Sequence, residues 1–152
     1  MGSQPSATGN GKPARVLVVD DTAVVRQSVC MALAHAGYEV VGVESGEQAI
    51  KLAQDVRNPL TVDVILCDIR MPPGNGVETI TFFKQQYPMI PVVALTDYPD
   101  VELAVSLMRQ GVFDFLIKPV LPEELQRVVD AARRLRFPDQ AGVAGRALDG
   151  DQ

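Results

Sequence analysis

The chain has 152 residues, 47% of them hydrophobic, which fits a single globular domain with a buried core. Its formal net charge of -5 opposes binding to nucleic acids and to anionic membranes. No apolar run approaches the roughly 20 residues of a membrane span, and no charged segment followed by an apolar stretch opens the chain as in a signal peptide. The two cysteines, Cys30 and Cys67, lack disulfide or metal-site spacing, so we expect a cytoplasmic protein.

The chain divides into two tails and a patterned middle. Residues 1–14 are rich in Gly, Ser, Pro and Asn and are predicted to be a disordered tail. Residues 15–137 are predicted to form the folded domain, and the aperiodic residues 138–152 to be a C-terminal tail or the stump of a linker.

Short β-branched runs alternate with amphipathic segments through the middle of the chain. Four of the runs are almost continuously apolar, as expected for parallel strands buried on both faces, whereas 39–43 is more broken and is expected at a sheet edge. The predicted strands are 15–19, 39–43, 63–67, 91–95 and 112–117.

Five segments carry apolar residues at helical spacing and are predicted to be helices that pack on the sheet, the first at 22–36 and the third at 76–87. Residues expected to point inward are Val25, Ser28, Val29 and Ala32, then Ala49, Leu52, Ala53 and Val56, then Ile80, Phe83 and Tyr87, then Val101, Ala104, Val105 and Met108, and finally Leu125, Val128, Val129 and Ala132.

Residues at the helix ends agree with this division. Ser45 and Gln48 form a capping-box pattern, and Gly37 and Gly111 are placed as the residues that follow a helix. Five strands alternating with five helices predict a doubly wound α/β fold with a parallel sheet in the flavodoxin-like order 2-1-3-4-5.

Polar residues stand at the carboxyl ends of four predicted strands. Asp20 and Asp21 follow the first strand, Asp68 the third, Thr96 the fourth and Lys118 the fifth. Ligands of open parallel sheets bind beyond these strand ends, and the order 2-1-3-4-5 brings the first strand beside the third. We therefore expect the three carboxylates to converge.

Three neighbouring carboxylates repel each other, and a divalent cation removes that conflict. Mg²⁺ prefers oxygen ligands and keeps several waters, and Mn²⁺ is the alternative. We expect Asp21 and Asp68 to be direct ligands, Asp20 a ligand through water, and the Arg70 carbonyl a further ligand.

The same residues suit phosphoryl transfer to a carboxylate. Asp68 would attack the phosphoryl group and form an aspartyl phosphate. Lys118 would pair with one phosphoryl oxygen, and the Thr96 hydroxyl would donate to another. Pro119 permits a cis peptide bond in the loop that carries Lys118.

These motifs resemble the receiver domain of two-component response regulators over about residues 15–136. The matching segments are the acidic pair within 18–21, the phospho-acceptor segment 68–72 with Gly76, the hydroxyl position in 95–96, and the last strand with its lysine in 111–119.

The resemblance implies a signalling module in which Asp68 takes its phosphoryl group from a sensor histidine kinase or a histidine phosphotransfer protein. It also implies that Thr96 and the aromatic Phe115 act as a switch. Phosphorylation would then reshape the surface of the fourth helix, fifth strand and fifth helix.

The resemblance implies partners as well. The kinase would meet Val24, Val25 and Arg26 at the start of the first helix. The switched surface would contact an effector domain or protein, or a second copy in a phosphorylation-linked homodimer, without direct contact to nucleic acid or membrane.

One position departs from the family pattern. Asp97 follows Thr96, where the family usually has Ala or Gly. Together with Arg70 and Tyr98 it is predicted to flank the entrance for attacking water and to set the lifetime of the phosphorylated state.

Two other functions fit parts of this pattern. One is a receiver-like protein that acts constitutively without phosphorylation, which the complete site disfavours. The other is an aspartate-nucleophile phosphatase, but such enzymes usually carry a second acid two residues after the nucleophile, where this chain has Arg70. We expect no enzyme activity beyond self-phosphorylation and self-dephosphorylation.

Overall fold

The computed structural model describes residues 13–55, 57, 61–70, 76–97 and 100–136. Within these ranges strands and helices alternate along the chain. The strands are β1 (Arg15–Val19), β2 (Glu39–Val43), β3 (Val64–Asp68), β4 (Val92–Thr96) and β5 (Asp114–Ile117). The helices are α1 (Ala23–His35), α2 (Gly46–Gln54), α3 (Gly76–Gln86), α4 (Val101–Arg109) and α5 (Pro122–Arg136).

The strands form one parallel sheet in the order β2-β1-β3-β4-β5, which confirms the predicted topology. β1 pairs with β2 and with β3, so that Val19 lies opposite both Val43 and Cys67. β2 lies at an edge, as its broken apolar pattern indicated. Because β1 and β3 are neighbours, the residues at their carboxyl ends lie side by side.

A hydrophobic core covers each face of the sheet. Val16 and Val18 of β1 pack in a cluster with residues of α1 and α5, whereas Leu17 and Val19 pack with residues of α2, α3 and α4. Successive side chains of a strand point to opposite faces, so a strand buried on both faces must be apolar at every position. This accounts for the continuous apolar runs of β1, β3 and β4, whereas β5 lies at the other edge of the sheet and is only partly buried, contrary to prediction.

The strand bounds differ slightly from the predicted ones. β3 and β4 end one residue later than predicted, so Asp68 and Thr96 belong to the strands themselves, and β5 begins at Asp114 rather than at residue 112. Ile69 N–H donates to Leu95 O (3.0 Å), which continues the pairing of β3 with β4 past Asp68.

The predicted inward faces hold for α5 and fail for α4. Leu125 and Ala132 of α5 are buried. In α4, however, Val101 and Val105 are exposed and Leu107 is buried. α4 has apolar residues on both sides, so helical spacing alone selected the wrong stripe.

Smaller differences occur in the other helices. In α1, Ser28 is exposed, contrary to prediction, and Leu33 is buried with Val29. Ile80 and Phe83 of α3 are buried as predicted, whereas Val56 lies outside the described residues.

Helix ends and turns follow their sequence signals. Ser45 Oγ accepts from Gln48 N–H (3.1 Å), while Gln48 Oε1 accepts from Glu44 N–H (2.9 Å) rather than from that of Ser45. Gly37 and Gly111 have φ angles of 101° and 102°, in the region that favours glycine. No helix in the described ranges is long and apolar enough to span a membrane.

Candidate functional site

The three predicted metal-binding carboxylates converge at the carboxyl edge of the sheet. One ligand oxygen from each of Asp20, Asp21 and Asp68 lies within 4.8 Å of the others. Asp20 is fully buried and Asp68 is 3% exposed, whereas Asp21 faces solvent. Two carboxylates of the cluster are therefore buried, and the third is accessible to solvent.

Backbone amides orient the two buried carboxylates. Thr22 N–H donates to Asp20 Oδ1 (2.9 Å), and Arg70 N–H donates to Asp68 Oδ1 (3.0 Å). Each bond arises because the chain turns directly after the strand and presents an amide two residues beyond the acid.

Lys118 bridges the remaining oxygens of the two buried acids. Its Nζ lies 2.8 Å from Asp20 Oδ2 and 3.0 Å from Asp68 Oδ2. Burial by itself would lower the pKa of Lys118, but the contacts with both carboxylates outweigh that effect and raise the pKa. Lys118 is therefore a half-buried ammonium group held between two acids.

Asp68 experiences opposing influences. Burial raises the pKa of Asp68, and so does the charge of Asp20, while the Arg70 amide and Lys118 lower it; the net direction is upward. Without a cation the ionised form of Asp68 is thus less favourable than it is in water.

The donor set fits a divalent cation that prefers oxygen ligands. Asp20 Oδ2 is a buried oxygen that makes no hydrogen bond of good geometry with any described residue. It forms an ion pair with Lys118 Nζ. Three carboxylates with at least one incompletely satisfied oxygen are a suitable set for Mg²⁺ or Mn²⁺. The Arg70 carbonyl stays a predicted ligand.

Gly76 allows α3 to begin against the backbone of Asp68. A Cβ atom on Gly76 would lie 1.9 Å from Asp68 O, and Gly76 N–H donates to Ile69 O (3.1 Å). No side chain can be accommodated there without moving backbone, so glycine is required for this close approach of α3 to Asp68.

The two predicted switch residues border one cavity. Thr96 is buried, and its carbonyl accepts from Lys118 N–H (2.8 Å). Phe115 is half-buried on β5. A cavity of about 120 Å³ lies between Thr96, Phe115 and Ala104 of α4.

The start of α1 borders a groove beside the site. Val24 is 76% exposed, and Val25 is half-buried. They line a groove of about 360 Å³ that also contains Lys118 and the exposed Asp97.

The remaining predicted site residues are Arg26, Arg70 and Tyr98. Arg26 Nη1 donates to Asp20 O (2.7 Å), a contact that sequence reasoning missed because the acceptor is a backbone atom. Arg70 is exposed, and Tyr98 lies outside the described residues.

A doubly wound sheet with an acid cluster and a lysine at its carboxyl edge defines a phosphoryl-accepting signalling module. The family model of the response regulator receiver domain matches residues 16–130, so this chain belongs to that family. Receiver domains act in phosphorylation-dependent two-component signalling, and the family binds Mg²⁺ through acidic residues.

Known proteins with similar sequences are response regulators. The regulatory protein AtoC of Escherichia coli is 36% identical over 122 residues, 80% of this chain and 26% of AtoC. The DNA-binding transcriptional regulator NtrC of Klebsiella pneumoniae is 38% identical over 115 residues, 76% of this chain and 24% of NtrC. The chain thus spans about a quarter of the length of these relatives.

Solved structures of receiver domains have the same fold as this chain. A response regulator receiver domain protein from Clostridium thermocellum superposes with a TM-score of 0.72 at 28% identity, covering 80% of this chain and 94% of that one. None of these matches favours a constitutive receiver or an aspartate-nucleophile phosphatase.

Proposed function

We propose that Asp68 is the phosphoryl acceptor of this receiver domain and that a sensor histidine kinase or histidine phosphotransfer protein is the donor. The observation that carries the proposal is the buried Asp68 carboxylate, with one oxygen held by the Arg70 amide and the other by Lys118, inside the three-carboxylate cluster. A nucleophile held this way is oriented before the donor arrives.

The remaining site residues have complementary roles. Mg²⁺ or Mn²⁺, held by Asp20, Asp21, Asp68 and the Arg70 carbonyl, would neutralise the charge of the carboxylates and the phosphoryl group. Lys118, already 3.0 Å from Asp68, pairs with a phosphoryl oxygen.

Thr96 and Phe115 form the proposed switch. The Thr96 hydroxyl donates to the new phosphoryl group, and Phe115 turns toward the adjoining cavity of about 120 Å³. Phosphorylation then shifts the equilibrium between conformations of the surface formed by α4, β5 and α5. In the favoured conformation this surface contacts an effector domain or protein, or a second copy of the chain.

The kinase docks at the start of α1. The exposed Val24 and the groove beside it support this assignment, with Val25 and Arg26 as neighbouring contacts. Arg70, Asp97 and Tyr98 set the phosphoryl lifetime, and the exposed Asp97 in the groove beside Lys118 supports that role.

The domain proposed to perform this function is residues 15–137, extended by the buried Ala14, between the predicted N-terminal and C-terminal tails. The module works in the cytoplasm, has no external substrate, and binds neither nucleic acid nor membrane directly.

Intact mass measurement after incubation with acetyl phosphate and MgCl₂ tests the proposal. We expect the parent to gain one phosphoryl group that hydroxylamine removes, because acyl phosphates react with that nucleophile. Asp68→Asn should gain none. Asp63→Asn is the matched control, since Asp63 lies just before the other end of β3 and accepts from Arg15 N–H (2.8 Å).

A modified Asp68→Asn protein, or a parent that gains nothing although it binds Mg²⁺, would contradict the assignment. After removal of the donor, the decay of the same adduct in Asp97→Ala and Tyr98→Ala tests the lifetime residues. An unchanged decay rate in both variants would show that these residues do not set the phosphoryl lifetime.

A further inference from the structure

Arg26 points back toward the acidic site instead of into solvent. It lies in the first turn of α1, where its N–H donates to Thr22 O (2.9 Å). Its side chain is half-buried, with Cγ and Cδ passing within about 3.5 Å of the position that a Cβ on Gly42 would occupy. Its Nη1 reaches Asp20 O at 2.7 Å.

The carbonyl of Asp20 lies where the pairing of β1 with β2 stops. Asp20 N–H still donates to Val43 O (3.1 Å), the last residue of β2. Beyond Val43 the chain turns to Ser45, which caps α2 through its contact with Gln48 N–H. The guanidinium of Arg26 therefore supplies the hydrogen bond to Asp20 O at the point where strand pairing ends.

The choice of acceptor matters for the metal site. Because Arg26 binds a carbonyl, it does not itself occupy a carboxylate oxygen of Asp20 or Asp21. Lys118 differs, since it occupies carboxylate oxygens of both Asp20 and Asp68. Charge-assisted bonds of this length are stronger than neutral ones, so the Arg26 contact can hold the turn firmly.

We propose that Arg26 is a positioning residue that fixes the turn of Asp20 and Asp21 so that their carboxylates are held ready for a divalent cation. This inference rests on the proposed metal site and adds a role to the predicted partner contact of Arg26. Residues that orient ligands from outside the coordination sphere commonly contribute 10- to 100-fold to metal affinity.

Titration of the ¹⁵N-labelled full chain with MgCl₂ at constant ionic strength, followed by amide NMR, tests the proposal. We expect Arg26→Met to bind Mg²⁺ about tenfold more weakly, and Arg26→Lys to recover part of the loss. Arg109→Met, on the exposed side of α4, is the matched control and should bind as the parent does.

The direction of the change separates positioning from other roles. If Arg26 acted only through its charge, Arg26→Met would bind Mg²⁺ more tightly, because a nearby cation is removed. If it acted only in folding, the melting temperature would fall without a change in Mg²⁺ affinity. Either result would overturn the proposal.

Amide hydrogen exchange in metal-free protein gives a second measurement. Thr22 N–H donates to Asp20 Oδ1, so loosening of the turn should speed its exchange severalfold in Arg26→Met, relative to Leu17 within β1. Equal exchange would refute the positioning role. If the parent fails to bind Mg²⁺, the proposed metal site is wrong, while the exchange result still decides the role of Arg26.

Discussion

At the scale of single residues, the site contains carboxylates in buried positions, where burial disfavours their ionised form. Asp20 and Asp68 are buried beside each other, and one ammonium group, Lys118, contacts both. The net rise in the pKa of Asp68 shows that Lys118 does not fully compensate the burial of that carboxylate. The residues that suit the site for phosphoryl chemistry are therefore expected to lower its stability without metal.

We predict that Asp68→Asn stabilises the metal-free protein at neutral pH and raises its melting temperature. The pKa of Asp68 is raised above 3.8 in the folded state. The stability that protonation contributes is therefore present below pH 3.8 and is lost as pH rises through the folded-state pKa. Asparagine does not ionise and avoids that loss.

Thermal unfolding followed by circular dichroism in EDTA, at pH 7 and near pH 3.5, measures the effect. The advantage of Asp68→Asn should vanish at the lower pH, and Asp63→Asn should show no gain at either. An Asp68→Asn protein that melts below the parent at pH 7 would mean that the Lys118 contact outweighs burial.

At the scale of elements, α4 is apolar on two sides. Leu107 is fully buried, while Val101, Val105 and Met108 are 78%, 45% and 48% exposed. Val101 lines the same cavity as Ile117 of β5, which is 52% exposed. The surface proposed to change on phosphorylation thus already presents apolar side chains in this structure.

We predict that Val105→Lys changes the free energy of unfolding by less than about 0.5 kcal/mol, because the side chain faces solvent. Leu107→Ala should cost about 3 kcal/mol, since it removes a fully buried side chain. Urea unfolding curves of the two variants measure both values. A large cost for Val105→Lys with a small one for Leu107→Ala would mean that α4 packs by the opposite face.

At the scale of the whole molecule, the two cores account for the folded unit between the predicted tails. Ala14, which the composition assigned to the N-terminal tail, is fully buried, and its carbonyl accepts from Glu39 N–H (2.9 Å). The limits of the domain stay a prediction, and Ala14 indicates that a functional fragment should begin before residue 15.

We predict that a fragment of residues 13–137 melts within about 2 °C of the full chain, because it retains both cores and the Ala14 contact. A fragment of residues 15–137 should melt lower, since it lacks a buried residue and a hydrogen bond to β2. Differential scanning calorimetry compares the three chains. A large loss in the longer fragment would show that a predicted tail contributes to folding.

The sequence by itself determined the strand order and which carboxylates converge at the edge of the sheet. Continuous apolar runs identified buried parallel strands, and Asp20 and Asp68, at the ends of two of them, had to meet once β1 and β3 were neighbours. Capping and glycine signals also placed the turns correctly, because these preferences are local and act through nearby backbone atoms.

Only the tertiary structure decided which stripe of α4 faces the sheet and where the side chain of Arg26 goes. Helical spacing defines a stripe but does not choose between two apolar stripes on one helix, since that choice depends on the neighbouring surface. A long side chain such as that of Arg26 has many rotamers, and its acceptor, the Asp20 carbonyl, becomes available only where strand pairing stops.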